Sequence, residues 1–116
     1  MKSSDAIAAC AALASAPRLA LYRLLVRRGP QGFTPGELAR RLRLPAPTLS
    51  FHLKALVSAG LVASRREGRN LHYSPNIART NALVAFLTAN CCSLADGAPA
   101  CAAPCPPVCA AGGQGG

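Results

Sequence analysis

The apolar positions between Asp5 and Cys92 change period along the chain, and those changes mark the elements. From Asp5 to about Ser15, Ile7, Cys10, Leu13 and Ala14 share one face at helical spacing, which predicts a first helix begun by Ser3-Ser4-Asp5. Leu21, Leu24, Leu25 and Arg28 keep a 3.6-residue period, which predicts a second helix with Pro17 in its first turn and Gly29 as its stop. Thr34, Pro35 and Glu37 supply an N-cap, a proline at the first helical position and a capping-box acid. A short third helix therefore starts there and ends near Leu42. A fourth helix has Pro47 in its first turn, turns Leu49, Leu53 and Leu56 inward, and ends at Gly60.

The period then falls to two. Val62 to Arg66 and Asn70 to Tyr73 read as short strands around Glu67-Gly68-Arg69, with Leu71 and Tyr73 on one face and His72 on the other. Ser74-Pro75-Asn76 caps a fifth helix, "IARTNALVAFLTANCC", with Ile77, Thr80, Val84, Leu87 and Cys91 along one side. The expected fold class is mainly α with a small β-hairpin. A short helix, a tight connection and a second helix make a helix-turn-helix, and the basic hairpin after it makes the motif winged. From Ser93 to Gly116 the patterning stops. Nineteen of those 24 residues are Ala, Gly, Pro or Cys, and such a segment lacks the apolar surface to fold alone. The expected organisation is a domain over residues 1–92 and a flexible tail over residues 93–116.

Charge adds a partner to this outline. All 13 Lys and Arg residues lie between Lys2 and Arg79, against four Asp and Glu in the whole chain. A small domain this basic suits a polyanion, most simply duplex DNA. On the fourth helix, Pro47, Thr48, Ser50, Phe51 and Lys54 face away from the leucines. Hydroxyls can bond base edges or phosphates, Phe51 can meet a thymine methyl, and Lys54 suits phosphate. His52 borders the core and suits a helix hydrogen bond or a phosphate contact better than a metal; His72 is expected to be solvated or near DNA. Arg65, Arg66 and Arg69 place three guanidinium groups in the hairpin, fit for phosphates or a narrow minor groove. The four acids and two histidines form no nucleophile, base and orienter set, so an enzyme is not expected.

The strings "LASAPRLALYRLL", "GELARRLRLPAPTLSFHLKALVSAGLV" and "RREGRNLHYSP" resemble the winged-helix repressors of the ArsR/SmtB type, over about residues 10–92. The resemblance implies a homodimer built on the first and last helices, a palindromic operator with two half-sites, and repression lifted by an inducer. Some members hold the inducer on paired cysteines before the recognition helix, but "ELARRLR" has none. Others bind zinc through His and Asp on the last helix, but "RTNALVAFLTAN" offers neither. What remains, "NCC", is similar to arsenic-responsive members with a vicinal Cys pair ending the last helix and a further Cys downstream. The downstream spacing, CC-x8-C-x3-C-x3-C, departs from that pattern.

Five of the six cysteines, Cys91, Cys92, Cys101, Cys105 and Cys109, gather at this end. Thiolates choose soft ions, and trivalent arsenic or antimony takes three in a pyramid. Adjacent helical side chains diverge by about 100°, so the helix must fray near Asn90 for Cys91 and Cys92 to converge. Cys101 is then the nearest third ligand, with Cys105 or Cys109 able to substitute because loop closure grows only logarithmically in cost. No organic cofactor is expected. Cys10, on the apolar face of helix one, is expected to be a small buried hydrophobe, or else to approach the partner's fifth helix. The resulting expectation is a repressor that binds operator DNA as a dimer and is released by As(III) or Sb(III), or by methylarsenite on the pair alone. Zn or Cd response through four thiolates, a two-thiol redox switch, or a Cys-rich metal-trafficking protein remain alternatives. A cytoplasmic location without membrane contact is expected, because "AIAACAALASA" is too weakly apolar for a signal peptide and no run reaches bilayer length.

Overall fold

The computed structural model describes residues 1–94; residues 95–116, including Cys101, Cys105 and Cys109, lie outside the described part. The element order is α1 (Ser3–Leu13), α2 (Ala16–Arg28), α3 (Pro35–Leu42), α4 (Ala46–Ser58), β1 (Val62–Glu67), β2 (Asn70–Pro75) and α5 (Ile77–Leu87). Among these, no single helix is long and apolar enough to cross a membrane. The fold is a winged helix-turn-helix, as the periodicity and turn chemistry require.

The core is built by leucines from several elements. Leu21 and Leu25 of α2, Leu38 of α3, Leu49 and Leu56 of α4, and Leu61 before β1 are all fully buried. Tyr22 of α2 and Thr80 of α5 share a side-chain hydrogen bond, which ties the last helix onto the second. Helix α1 corrects the expectation. Its buried face is Ala6, Ala9 and Ala12, whereas Ile7 is 69% exposed and Cys10 is exposed. The physical reason is space. α1 packs against α2, α4 and α5 at once, and methyl side chains admit that close approach where Ile would overpack. Cys10 therefore lies outside the core of the single chain.

The helix-turn-helix forms through local chemistry. The Thr34 hydroxyl accepts the Glu37 backbone N–H at 3.3 Å, and the Glu37 carboxylate accepts the Thr34 N–H at 2.9 Å and the Thr34 hydroxyl at 3.0 Å. This satisfies donors that the first turn of α3 would leave orphaned. α3 ends at Arg43, whose left-handed φ of 55° turns the chain sharply, so that only Arg43, Leu44 and Pro45 separate α3 from α4.

The wing is a two-stranded antiparallel hairpin that pairs Val62 with Pro75, Arg65 with His72 and Glu67 with Asn70. Its loop is the pair Gly68-Arg69, and Gly68 has φ 59°, as a two-residue hairpin turn with glycine first demands. Each strand runs slightly longer than its alternation predicts. At the base, Phe33 and Tyr73 exchange two backbone hydrogen bonds of 2.9 Å, extending the pairing to the loop after α2. Gly32 makes this possible: its φ is 72°, and a Cβ there would collide with the Tyr73 carbonyl oxygen.

Helix α5 is shorter than its sequence pattern suggests. It is capped by the Asn76 side chain, which accepts the Arg79 N–H at 3.2 Å, but it stops at Leu87, four residues before the cysteine pair. Of the side that the helical spacing marks, Thr80 and Val84 are half-buried, while Ile77 and Leu87 are exposed at 44% and 63%. Leu83 carries the packing instead.

Candidate nucleic-acid interface and thiolate site

Leu49, Leu53 and Leu56 anchor α4 in the core, so the opposite arc of the helix must face out. Pro47, Thr48, Ser50, Phe51 and Lys54 are all exposed, Phe51 by 65%. An aromatic ring left this wet forgoes most of the roughly 1.5–3 kcal/mol that burial would supply. His52 is half-buried; its Nδ1 is buried with no hydrogen-bond partner among the described residues, and its ring meets Phe51 edge-on at 5.6 Å. The hydrogen bond expected of His52 is thus not made at that nitrogen.

The three hairpin arginines divide into two kinds. Arg65 bonds the Glu67 carboxylate through Nε at 2.9 Å and Nη2 at 2.6 Å, and it donates to the carbonyls of Pro30 at 3.1 Å and Gln31 at 3.3 Å. It braces the wing against the loop after α2. The Arg65 bond and charge hold the Glu67 carboxyl below the usual glutamate range. Arg66 and Arg69 are exposed, and Arg69 stands at the tip of the wing. His72 is half-buried rather than fully solvated, and its Nδ1 is buried with no hydrogen-bond partner among the described residues.

Two further arginines escaped the sequence reading. The guanidinium groups of Arg28 and Arg41 each lie 4.9 Å from the centre of the Phe33 ring, a cation–π arrangement that joins α2 and α3 across the aromatic. Arginine spacing along one helix carries no signal for a partner on another element.

The cysteine pair sits where the chain has left helical geometry. Thr88 closes α5 by donating its hydroxyl to the Val84 carbonyl at 2.8 Å. Asn90 and Cys92 then take left-handed φ values of 60° and 62°. Turns from Cys91 N–H to Thr88 O and from Ser93 N–H to Asn90 O follow. This unwinding brings the two sulfurs, both exposed, to 3.5 Å, so that they no longer diverge as helical neighbours do. Among the described residues, no three His, Cys, Asp or Glu side chains converge as a metal site. The expected third ligands lie outside the described residues. Cys10 lines an apolar groove of about 550 Å³ between α1 and the end of α5, with Ile7, Phe86 and Leu87.

Comparison with known proteins agrees with this arrangement. The family described as a helix-turn-helix domain matches residues 13–65. A probable mercury resistance operon repressor from Streptomyces lividans is 37% identical over 89 residues, 77% of this chain and 66% of that protein, so the chain spans about two-thirds of its relative's length. An ArsR-like transcriptional regulator from Rhodococcus sp. RHA1 superposes with a TM-score of 0.66 at 28% identity, over 72% of this chain and 76% of that one. The homodimeric winged helix-turn-helix domain of Mb0332 from Mycobacterium bovis, a possible ArsR-family transcriptional regulator, gives a TM-score of 0.58 at 32% identity, over 75% and 81%. With the capped α3, the leucine-anchored α4 and the basic wing all in place, the chain belongs to the ArsR/SmtB family of winged-helix DNA-binding transcriptional regulators.

Proposed function

We propose that this chain is a repressor that binds operator DNA as a homodimer and is released when As(III) or Sb(III) binds the thiolates of Cys91, Cys92 and one later cysteine. Cys101 is the nearest candidate for that third place, with Cys105 and Cys109 as alternatives. Thr48, Ser50, Phe51 and Lys54 read the groove with Pro47 and His52 beside them, while Arg66 and Arg69 reach the backbone. Arg65 supports that contact by holding the wing.

The observation that carries the inducer reading is the 3.5 Å between the sulfurs of Cys91 and Cys92. For metal–sulfur bonds of about 2.3 Å, that separation corresponds to a bent S–ion–S angle of roughly 100°. A pyramidal trivalent ion suits such an angle, and a tetrahedral thiolate site, with its sulfurs about 3.8 Å apart at the same bond length, lies close to it. A linear two-thiolate ion would need the sulfurs about 4.6 Å apart at the same bond length. A second reading, response to Hg(II), is favoured by the name of the Streptomyces relative. It calls for the pair to open, or for a more distant cysteine to serve.

The dimer reading is supported by the groove between α1 and α5, where Ile7, Phe86 and Leu87 expose apolar surface that a second copy would cover. The M. bovis relative is itself a homodimer. Because the pair lies just beyond α5, an ion that reorders residues 88–92 acts next to this interface. A coupling of about 1–3 kcal/mol is typical for such regulation.

The decisive experiment is fluorescence anisotropy of labelled operator duplex with arsenite, antimonite or mercuric ion added. Arsenite should release the wild-type protein, while Cys91→Ser/Cys92→Ser should bind DNA with unchanged affinity and stay bound. Arsenite release that survives the double substitution would eliminate the site, and release by peroxide alone would establish a redox switch instead.

A further inference from the structure

A second concentration of charge draws on neither the recognition helix nor the hairpin. Between α2 and α3 is a cleft of about 470 Å³, lined by Ala20, Arg23, Leu24, Arg27, Arg41 and Leu42. Three of these lining residues are arginines and two are leucines.

Among the described residues, no carboxylate pairs with these charges. The described residues hold three acids, Asp5, Glu37 and Glu67. Asp5 pairs with Arg79 at 3.6 Å, Glu37 closes the α3 capping box, and Glu67 is bound by Arg65. Arg23 and Arg27 are also like charges at i and i+4 on one helix, an arrangement that weakens the helix slightly. Arg41 adds a third positive group from the facing helix, fixed by its stacking on Phe33. A concave site of one sign, walled by apolar side chains, concentrates its field on an anion. Arginine forks match phosphate oxygens in pairs. Arg41 also stands two residues before Arg43, where the chain turns into α4, so the cleft adjoins the helix-turn-helix itself.

We infer that the α2–α3 cleft is an additional phosphodiester-binding surface, in which Arg23, Arg27 and Arg41 clasp the backbone of operator DNA outside the contacts of α4 and the wing. The inference rests on the DNA-binding reading above and assigns the cleft a share in it. Arg23 and Arg27 are exposed and make no side-chain hydrogen bond or ion pair among the described residues, so they serve as the test positions. Arg41 is left intact because its stacking on Phe33 supports the fold.

The test is operator binding by the full chain, followed by anisotropy across a series of NaCl concentrations. Arg23→Ala/Arg27→Ala should weaken binding to every duplex alike and make the log–log salt slope shallower by about one to two. Arg23→Lys/Arg27→Lys should recover most of that slope, because the charge is kept. Arsenite release should be unchanged in both variants. Equal slopes for the wild type and the alanine variant would overturn the inference. Equal losses in both variants with a lowered melting temperature would also overturn it, since that marks a structural role. Tight binding of tripolyphosphate, together with an unchanged DNA slope in the alanine variant, would reassign the cleft to a free anion. A wild-type chain that binds no duplex at all would instead overturn the proposed function.

Discussion

Arg65 and Arg69 stand four residues apart and have opposite tasks. Arg65 spends its donors on Glu67, Pro30 and Gln31, while Arg69 sits exposed at the wing tip. Arg69→Ala should therefore weaken DNA binding about equally for all sequences, lower the salt slope by about one and leave the melting temperature unchanged. Arg65→Ala should lower the melting temperature, because two loop carbonyls lose their donor and Glu67 loses its counter-charge. Thermal melts beside anisotropy titrations separate the two effects. The sequence showed three arginines in a basic hairpin but not this division. The partners of Arg65 on the loop lie more than thirty positions away in the chain, and only folding brings them near. Phe51 was legible for the opposite reason: once Leu49, Leu53 and Leu56 are assigned to the core, helical geometry sends it outward.

At the scale of elements, α3 is the most local and was the most readable. Its start is written in Thr34-Pro35-Gly36-Glu37, and the structure returns both halves of the reciprocal cap. Thr34→Ala should cost about 1 kcal/mol of stability, measured by urea denaturation. The backbone and side-chain bonds to Thr34 hold the Glu37 carboxyl below its ordinary value of 4.5, helped by the charges of Arg28 and Arg40. A depressed folded value stabilises the fold above pH 4.5, and that contribution fades as pH falls through the lower, folded value. Melting temperatures taken from neutral to acidic pH should accordingly fall less steeply for Glu37→Gln than for the wild type. Helices α1 and α5 were less readable. Both carry apolar residues all round, so periodicity alone could not say which face the core takes. The core took alanines in α1 and Leu83 in α5, leaving Ile7, Cys10 and Leu87 outward. The end of α5 comes before the helical period does, since that period runs on through Cys91: Thr88 closes the helix, and Asn90, where convergence of the two thiols already called for fraying, takes a left-handed φ.

For the whole molecule, those outward residues gather on one surface, the groove between α1 and α5. Covering it with a second copy would complete the assembly and set the spacing of the two recognition helices. Ile7→Glu/Leu87→Glu places charges where apolar contact is expected. It should yield a folded monomer by analytical ultracentrifugation, with circular dichroism retained and affinity for a duplex bearing two half-sites greatly reduced. A dimer that persists in this variant would move the interface elsewhere.

The chain's own order of residues determined its elements and its chemistry. Capping signals, leucine periods and a glycine turn act over a few neighbouring positions, and arginine and cysteine content is independent of conformation. Folding decided what depends on distant neighbours: which face of α1 is buried, which arginines are spent inside the wing, and how the α2–α3 cleft gathers three guanidinium groups. Each of these follows from competition for limited space and donors around one core, which local sequence does not encode, whereas the unwinding after Leu87 that turns the sulfurs of Cys91 and Cys92 toward each other is held by bonds within residues 84–93.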